Sequence, residues 1–208
     1  MKKLIALLLA LVMVMALAAC GNKEENNGDA GNTNAGNEDK VLASSALEIL
    51  ETIWNDYAED EQFAVTGGDM QTQIEMMEKD ENYMPANAPG AYNLKYAEDL
   101  TYSLLIPADE LANLEEAATM VHMMNGNNFS CGAFKLKNGD VASFAETMKD
   151  AAMNNQWMCG QPEQIIVVDF GGGYVLMAYG IHDAMDPFVE HMNSVYADAE
   201  VLVDESLI

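Results

Sequence analysis

Apolar residues recur at helical spacing from about Val41 to Ala58. Leu42, Ala46, Ile49, Leu50, Ile53, Trp54 and Tyr57 share one face, while Glu48, Glu51 and Asp56 fall elsewhere. This pattern predicts an amphipathic helix. Thr66-Gly67-Gly68-Asp69 breaks it, and a weaker helix is predicted over Met70 to Lys79. Pro85, Pro89 and Gly90 make the next stretch a loop. Leu100 to Ile106, LTYSLLI, is rich in strand formers and is closed by Pro107. Asp109 and Glu110 suit the first turn of a helix. Residues 117–124 read two ways. Leu111, Leu114, Ala118 and Val121 keep helical spacing, yet Asn125-Gly126 is a hairpin signal. A short helix followed by a strand is favoured over one continuous helix.

The last third alternates more cleanly. In Ser130 to Lys137, Phe134 and Leu136 face one way and Lys135 and Lys137 the other, which predicts a strand. Asn138-Gly139 turns the chain and Asp140 is a good N-cap. Val141, Phe144, Ala145, Met148 and Ala152 then form a helical stripe. Ile165 to Phe170 and Tyr174 to Tyr179 are predicted strands joined by Gly171-Gly172-Gly173. Asp186-Pro187 is expected to start a final helix with Pro at its first position, burying Phe188, Val189, Met192, Val195 and Tyr196. The order predicts an α+β domain over residues 41–208, an antiparallel sheet with helices packed mainly on one face.

Two segments precede that domain. Lys2 and Lys3 lead an apolar run, Leu4 to Leu17, too short to span a bilayer. The run ends in Leu17-Ala18-Ala19-Cys20-Gly21. This looks like a bacterial lipobox, so residues 1–19 are expected to be a lipoprotein signal peptide and Cys20 the lipidated residue. Two or more acyl chains make a stable anchor. Residues 20–40 are expected to form a disordered tether, since this Asn- and Gly-rich stretch cannot bury enough apolar surface to offset its chain entropy. As a flexible coil it would reach about 25 Å.

Charge narrows the partners. The chain has 208 residues and a formal net charge of −25, and it contains no arginine. Nothing here could neutralise a nucleic-acid backbone, so no nucleic-acid partner is expected. An anionic membrane surface would repel the body of the protein, which leaves contact with the membrane to the lipid anchor. The arginine fork that grips carboxylate or phosphate is also missing.

Candidate chemistry is sparse. Cys131 and Cys159 are the cysteines left once Cys20 is lipidated. An even pair in an exported domain suggests a disulfide, and the strand over 130–137 and the returning helix would bring them to one end. Strand alternation nevertheless points Cys131 away from the Phe134 face. Two buried thiols, or a Cys-His nucleophile, are the alternatives. Met120, His122 and Met124 share one face of a strand and offer soft ligands for copper(I); a methionine-rich core is the competing reading. His182 and His191 lie near Asp183, Asp186 and Glu190, without a recognisable zinc spacing. Gly171-Gly172-Gly173 lacks the strand-to-helix setting and the lysine of a phosphate loop, so no cofactor is expected. The acidic run Asp56 to Glu61 reads as a solvated charge cluster without calcium-loop spacing.

Three pieces carry a family resemblance: His122-Met123-Met124-Asn125-Gly126-Asn127-Asn128-Phe129, Cys131-Gly132-Ala133-Phe134 and Trp157-Met158-Cys159-Gly160-Gln161-Pro162-Glu163. With the lipobox and the acidic domain behind it, residues from about Asp99 to Tyr196 resemble uncharacterised lipoproteins of Gram-positive bacteria that look related to the domain of unknown function 4358 family. The resemblance implies an α+β domain outside the membrane and supplies no reaction and no catalytic residues.

The expected function is a membrane-anchored, extracytoplasmic binding or interaction module, without catalysis, for a small molecule, a peptide or an envelope protein. Trp157, Met158 and Tyr92 would line its groove. Two further readings stay open: an envelope hydrolase built on carboxylates or a Cys/His pair, and a metal-handling lipoprotein centred on His122.

Overall fold

The computed structural model describes residues 40–208. The expected signal peptide, Cys20 and nearly all of the tether lie outside the described residues. Within them the chain is α+β, with a seven-stranded antiparallel sheet.

The helices form where local signals agree. Helix α1, Ala46–Trp54, begins at Ser45, whose side chain accepts from Glu48 N. Ile49, Leu50 and Ile53 on its inner face have no exposed surface. Each such side chain contributes roughly 1.5–3 kcal/mol through burial. Strand β1, Val65–Thr66, follows. Helix α2, Met70–Lys79, is capped by Asp69 and has no buried residue of its own. Strand β2 is Gly90–Ala91. Both short strands pair with β3, Leu114–His122, and lie end to end along its outer edge.

Residues 100–106 are not a strand. They form a short helix, α3, Leu100–Ser103, and then a tight reversal in which Ile106 N donates to Leu100 O over 3.1 Å. The free edge of β3 is already taken by β1 and β2, so no partner remains there for another strand. Leu100, Leu104 and Ile106 instead bury into the layer beneath α4 (Val141–Met153). The reversal holds Leu105 at φ +59°, a conformation that costs about 1 kcal/mol for a residue with a Cβ.

A 3-10 turn, Leu111–Asn113, leads into β3, so residues 117–122 belong to a strand, as the short-helix-then-strand reading has it. Strand β4, Phe129–Leu136, is followed by α4, where Asp140 accepts from Ser143 N. Strands β5, Gln164–Asp169, and β6, Tyr174–Gly180, form a hairpin around three glycines of positive φ. Helix α5, His182–Val195, and β7, Glu200–Ser206, end the chain. The spatial order is β1-β3-β4-β6-β5-β7.

The last third departs from expectation at one helix start and adds one strand. Helix α5 starts at His182 rather than at Asp186-Pro187, and Pro187 sits inside it. Glu163 supports the earlier start, since its carboxylate accepts from His182 N at 2.8 Å and so acts as a cap supplied from the loop before β5. Strand β7 has no clear signature, because Glu200, Asp204 and Glu205 interrupt its apolar residues. It pairs with β5 at the sheet edge, where charged side chains are the usual protection against edge pairing.

The helices cover both sides of the sheet rather than mainly one. Helices α1 and α5 pack over Met120, Phe129, Cys131, Ala133, Ile166, Val168, Leu176 and Ala178. Helix α4, with the 94–106 segment, packs over Phe134, Leu136, Ile165, Val167, Val175, Met177 and Tyr179. Every residue of β6 is buried. Its continuous apolar run is the signature of a strand covered on both faces.

Candidate functional site

Where α1 gives way to β1, the chain turns beside the start of α5. Tyr57, Glu61 and Phe63 from the turn, His122 and Asn128 from the β3–β4 end, and Ile181, Asp183, Ala184 and Pro187 from the start of α5 line a cleft of about 250 Å³. That is just below the usual range for small-molecule pockets, about 300–1,000 Å³.

Fixed contacts shape its walls. Phe63 lies edge-on to Trp54 at 5.6 Å and to Phe129 at 5.2 Å, and nearly parallel to His122 at 6.1 Å. His122 Nδ1 accepts from Met124 N at 3.2 Å and Asn125 N at 3.3 Å. That ring nitrogen therefore serves as an acceptor and leaves Nε2 to carry the proton. Glu61 accepts from Ala58 N at 3.1 Å, which holds its carboxylate in the turn.

Behind the turn, His191 of α5 clasps the same segment. Its Nδ1 is 2.8 Å from an Asp56 carboxylate oxygen and its Nε2 is 4.0 Å from Glu61. Its ring stacks on Tyr57 at 3.8 Å. Tyr57 is buried, and among the described residues its hydroxyl has no hydrogen-bond partner. Burial, with the nearby Cys131 and Glu61 adding to it, pushes the phenol far above its ordinary range. The acidic run that reads as a solvated cluster thus has two members, Asp56 and Glu61, with structural partners.

The other candidates are not assembled into a site. Met120 is fully buried beneath α1 and Met124 is 85% exposed, so the two do not converge with His122 as a ligand set. Among the described residues no three His, Cys, Asp or Glu side chains are grouped to hold a metal ion. His182 pairs with Asp186 at 3.3 Å within its own helix. The three histidines thus engage backbone amides or carboxylates rather than a thiol. Tyr92 is buried and donates to Tyr96 O, and Trp157 packs on Tyr179, so neither lines a groove with Met158.

Among the described residues Cys131 and Cys159 are free thiols and form no disulfide with each other. Cys131 points into the layer beneath α1 and α5, away from the Phe134 face that α4 covers, as strand alternation requires. Burial raises its thiol well above the ordinary value. Cys159 is exposed in the loop after α4, at φ +63°. Side-chain amides tie that loop to the β3–β4 turn. Asn125 donates to Cys159 O at 2.9 Å, and Asn127 to Met158 O at 2.6 Å and Gly160 O at 2.7 Å. With Cys20→Ala, the native chain is expected to react with one equivalent of a thiol reagent, at Cys159, and with two after unfolding. A native count of zero with a mass lower by two hydrogens would show a disulfide instead.

No family model, curated protein or solved structure matches the chain. The acidic run stands out in the sequence, whereas Phe63 belongs to no motif. Its one local signal is its place between the run and the Thr66-Gly67-Gly68 break.

Proposed function

We propose that this chain is a membrane-anchored, extracytoplasmic lipoprotein whose folded domain binds a ligand without transforming it, and that the cleft at the start of α5 is where the ligand sits. The cleft carries this reading. It joins aromatic and aliphatic walls to a few held polar groups, the usual make-up of a small-molecule site. The Leu17-Ala18-Ala19-Cys20 ending supports the anchor.

Two measurements test it. Cys20→Ala is expected to abolish incorporation of labelled fatty acid and to release the chain from membranes; full labelling of the variant would sink the anchor. Thermal unfolding of the full chain in detergent, against metals, peptides, sugars, amines and organic acids, tests the ligand. A compound that binds only the folded state stabilises it by about 2.7 kcal/mol at a hundred times its Kd. A midpoint unmoved across the panel would remove the binding role.

A further inference from the structure

The charge of the cleft narrows the ligand. Glu61 and Asp183 both line it, and no lysine does. The amino end of α5 would by itself favour an anion. Here that end is already answered, because His182 N donates to Glu163 and Asp183 stands in the first turn. The remaining polar groups are the Tyr57 hydroxyl, the Asn128 amide and the His122 ring, whose Nδ1 is occupied by backbone amides. The body of the protein adds a strongly negative field, which draws cations towards such a cleft.

A bare metal ion is the less suitable cation. No three metal-type ligands converge among the described residues. The rest of the lining is apolar or aromatic: Tyr57, Phe63, Ile181, Ala184 and Pro187. Those side chains stabilise a hydrocarbon body, and aromatic faces also attract an ammonium group. We propose that the cleft binds a small organic cation, an ammonium group on an apolar or aromatic body, with Glu61 and Asp183 meeting the charge and Phe63 and Tyr57 meeting the body. This rests on the reading of the cleft as a ligand site.

The test uses three molecules of similar shape: phenethylammonium, phenethyl alcohol and phenylacetate. Each is titrated calorimetrically into the full chain in detergent. The cation is expected to bind most tightly and the anion least. Glu61→Gln and Asp183→Asn, both at exposed positions, are each expected to weaken the cation roughly fivefold. Neither should change binding of the alcohol, and added salt should weaken the cation alone. Circular dichroism checks that both variants keep the fold. Equal binding of alcohol and cation, preference for the anion, no binding by any of the three, or a cation affinity untouched by both substitutions would each overturn the ligand class. The site reading survives such a result if any compound of the wider panel raises the unfolding midpoint, and falls with it if none does.

Discussion

Gly67→Ala is expected to destabilise the domain by about 4 kcal/mol or more, the range reserved for severe steric or packing defects. A Cβ at this position would stand 2.0 Å from Gly90 N, 2.3 Å from the Pro89 carbonyl carbon and 2.7 Å from Ala88 O. All three are backbone atoms, so no side chain can rotate away. The crowding is mutual, since a Cβ on Gly90 would meet Gly67 carbonyl carbon at 2.6 Å. The crossing also ties several elements together. Thr66 pairs with Val121 and Gly90 with Thr119 on the same edge of β3. Buried Asp69, two residues on from Gly67, caps α2 and also accepts from Asn93 N at 3.0 Å. Separating the two strands would pull on all of these contacts. Gly139→Ala is the control. Gly139 has φ +68° but nothing within 4 Å of an added Cβ, so it should lose only about 1 kcal/mol. Urea unfolding of both variants measures the difference. Equal losses would show that the backbones do not cross this closely.

The second large effect is expected at Phe129. Its side chain is fully buried and meets Phe63 at 5.2 Å and Phe188 at 5.1 Å, both near edge-on. Phe129→Ala should cost about 3–5 kcal/mol, combining lost transfer energy with the cavity left behind. Part of that is the aromatic pairing itself, about 0.5–1.5 kcal/mol per pair beyond area. Against a typical total of about 5–15 kcal/mol this is a large fraction. Phe129→Leu, which refills much of the space, should lose clearly less. Because Phe63 lines the cleft and leans on Phe129, the alanine variant should also weaken any ligand of the cleft. Chemical denaturation measures the stability loss, and a value under 1 kcal/mol for the alanine variant would falsify close packing of this aromatic cluster.

Both predictions concern contacts between segments far apart in the chain, about which local sequence signals say least. An element is legible where its signal is complete within one or two turns. Helix α2 keeps the expected bounds, Met70 to Lys79. Helix α4 follows from the Asp140 cap and the stripe from Val141 to Ala152, every member of which is buried. The β5–β6 hairpin follows from two apolar runs around Gly171-Gly172-Gly173. The antiparallel α+β class followed from the order of such elements.

The sequence by itself determined the elements whose caps, periods and turns depend on near neighbours, because those interactions act within about four residues. Tertiary structure decided the rest. Residues 100–106 fold as a helix and reversal whose Leu100, Leu104 and Ile106 are buried in the layer that α4 covers. Helix α5 begins early because Glu163, 19 residues away, caps His182. Strand β7 exists because β5 offers it a ladder. The turn that lines one side of the cleft is clasped by His191, which reaches Asp56 across 135 residues of chain. No local pattern encodes such a pairing, since its partners meet only when the packed sheet brings the end of α1 and α5 to the same side.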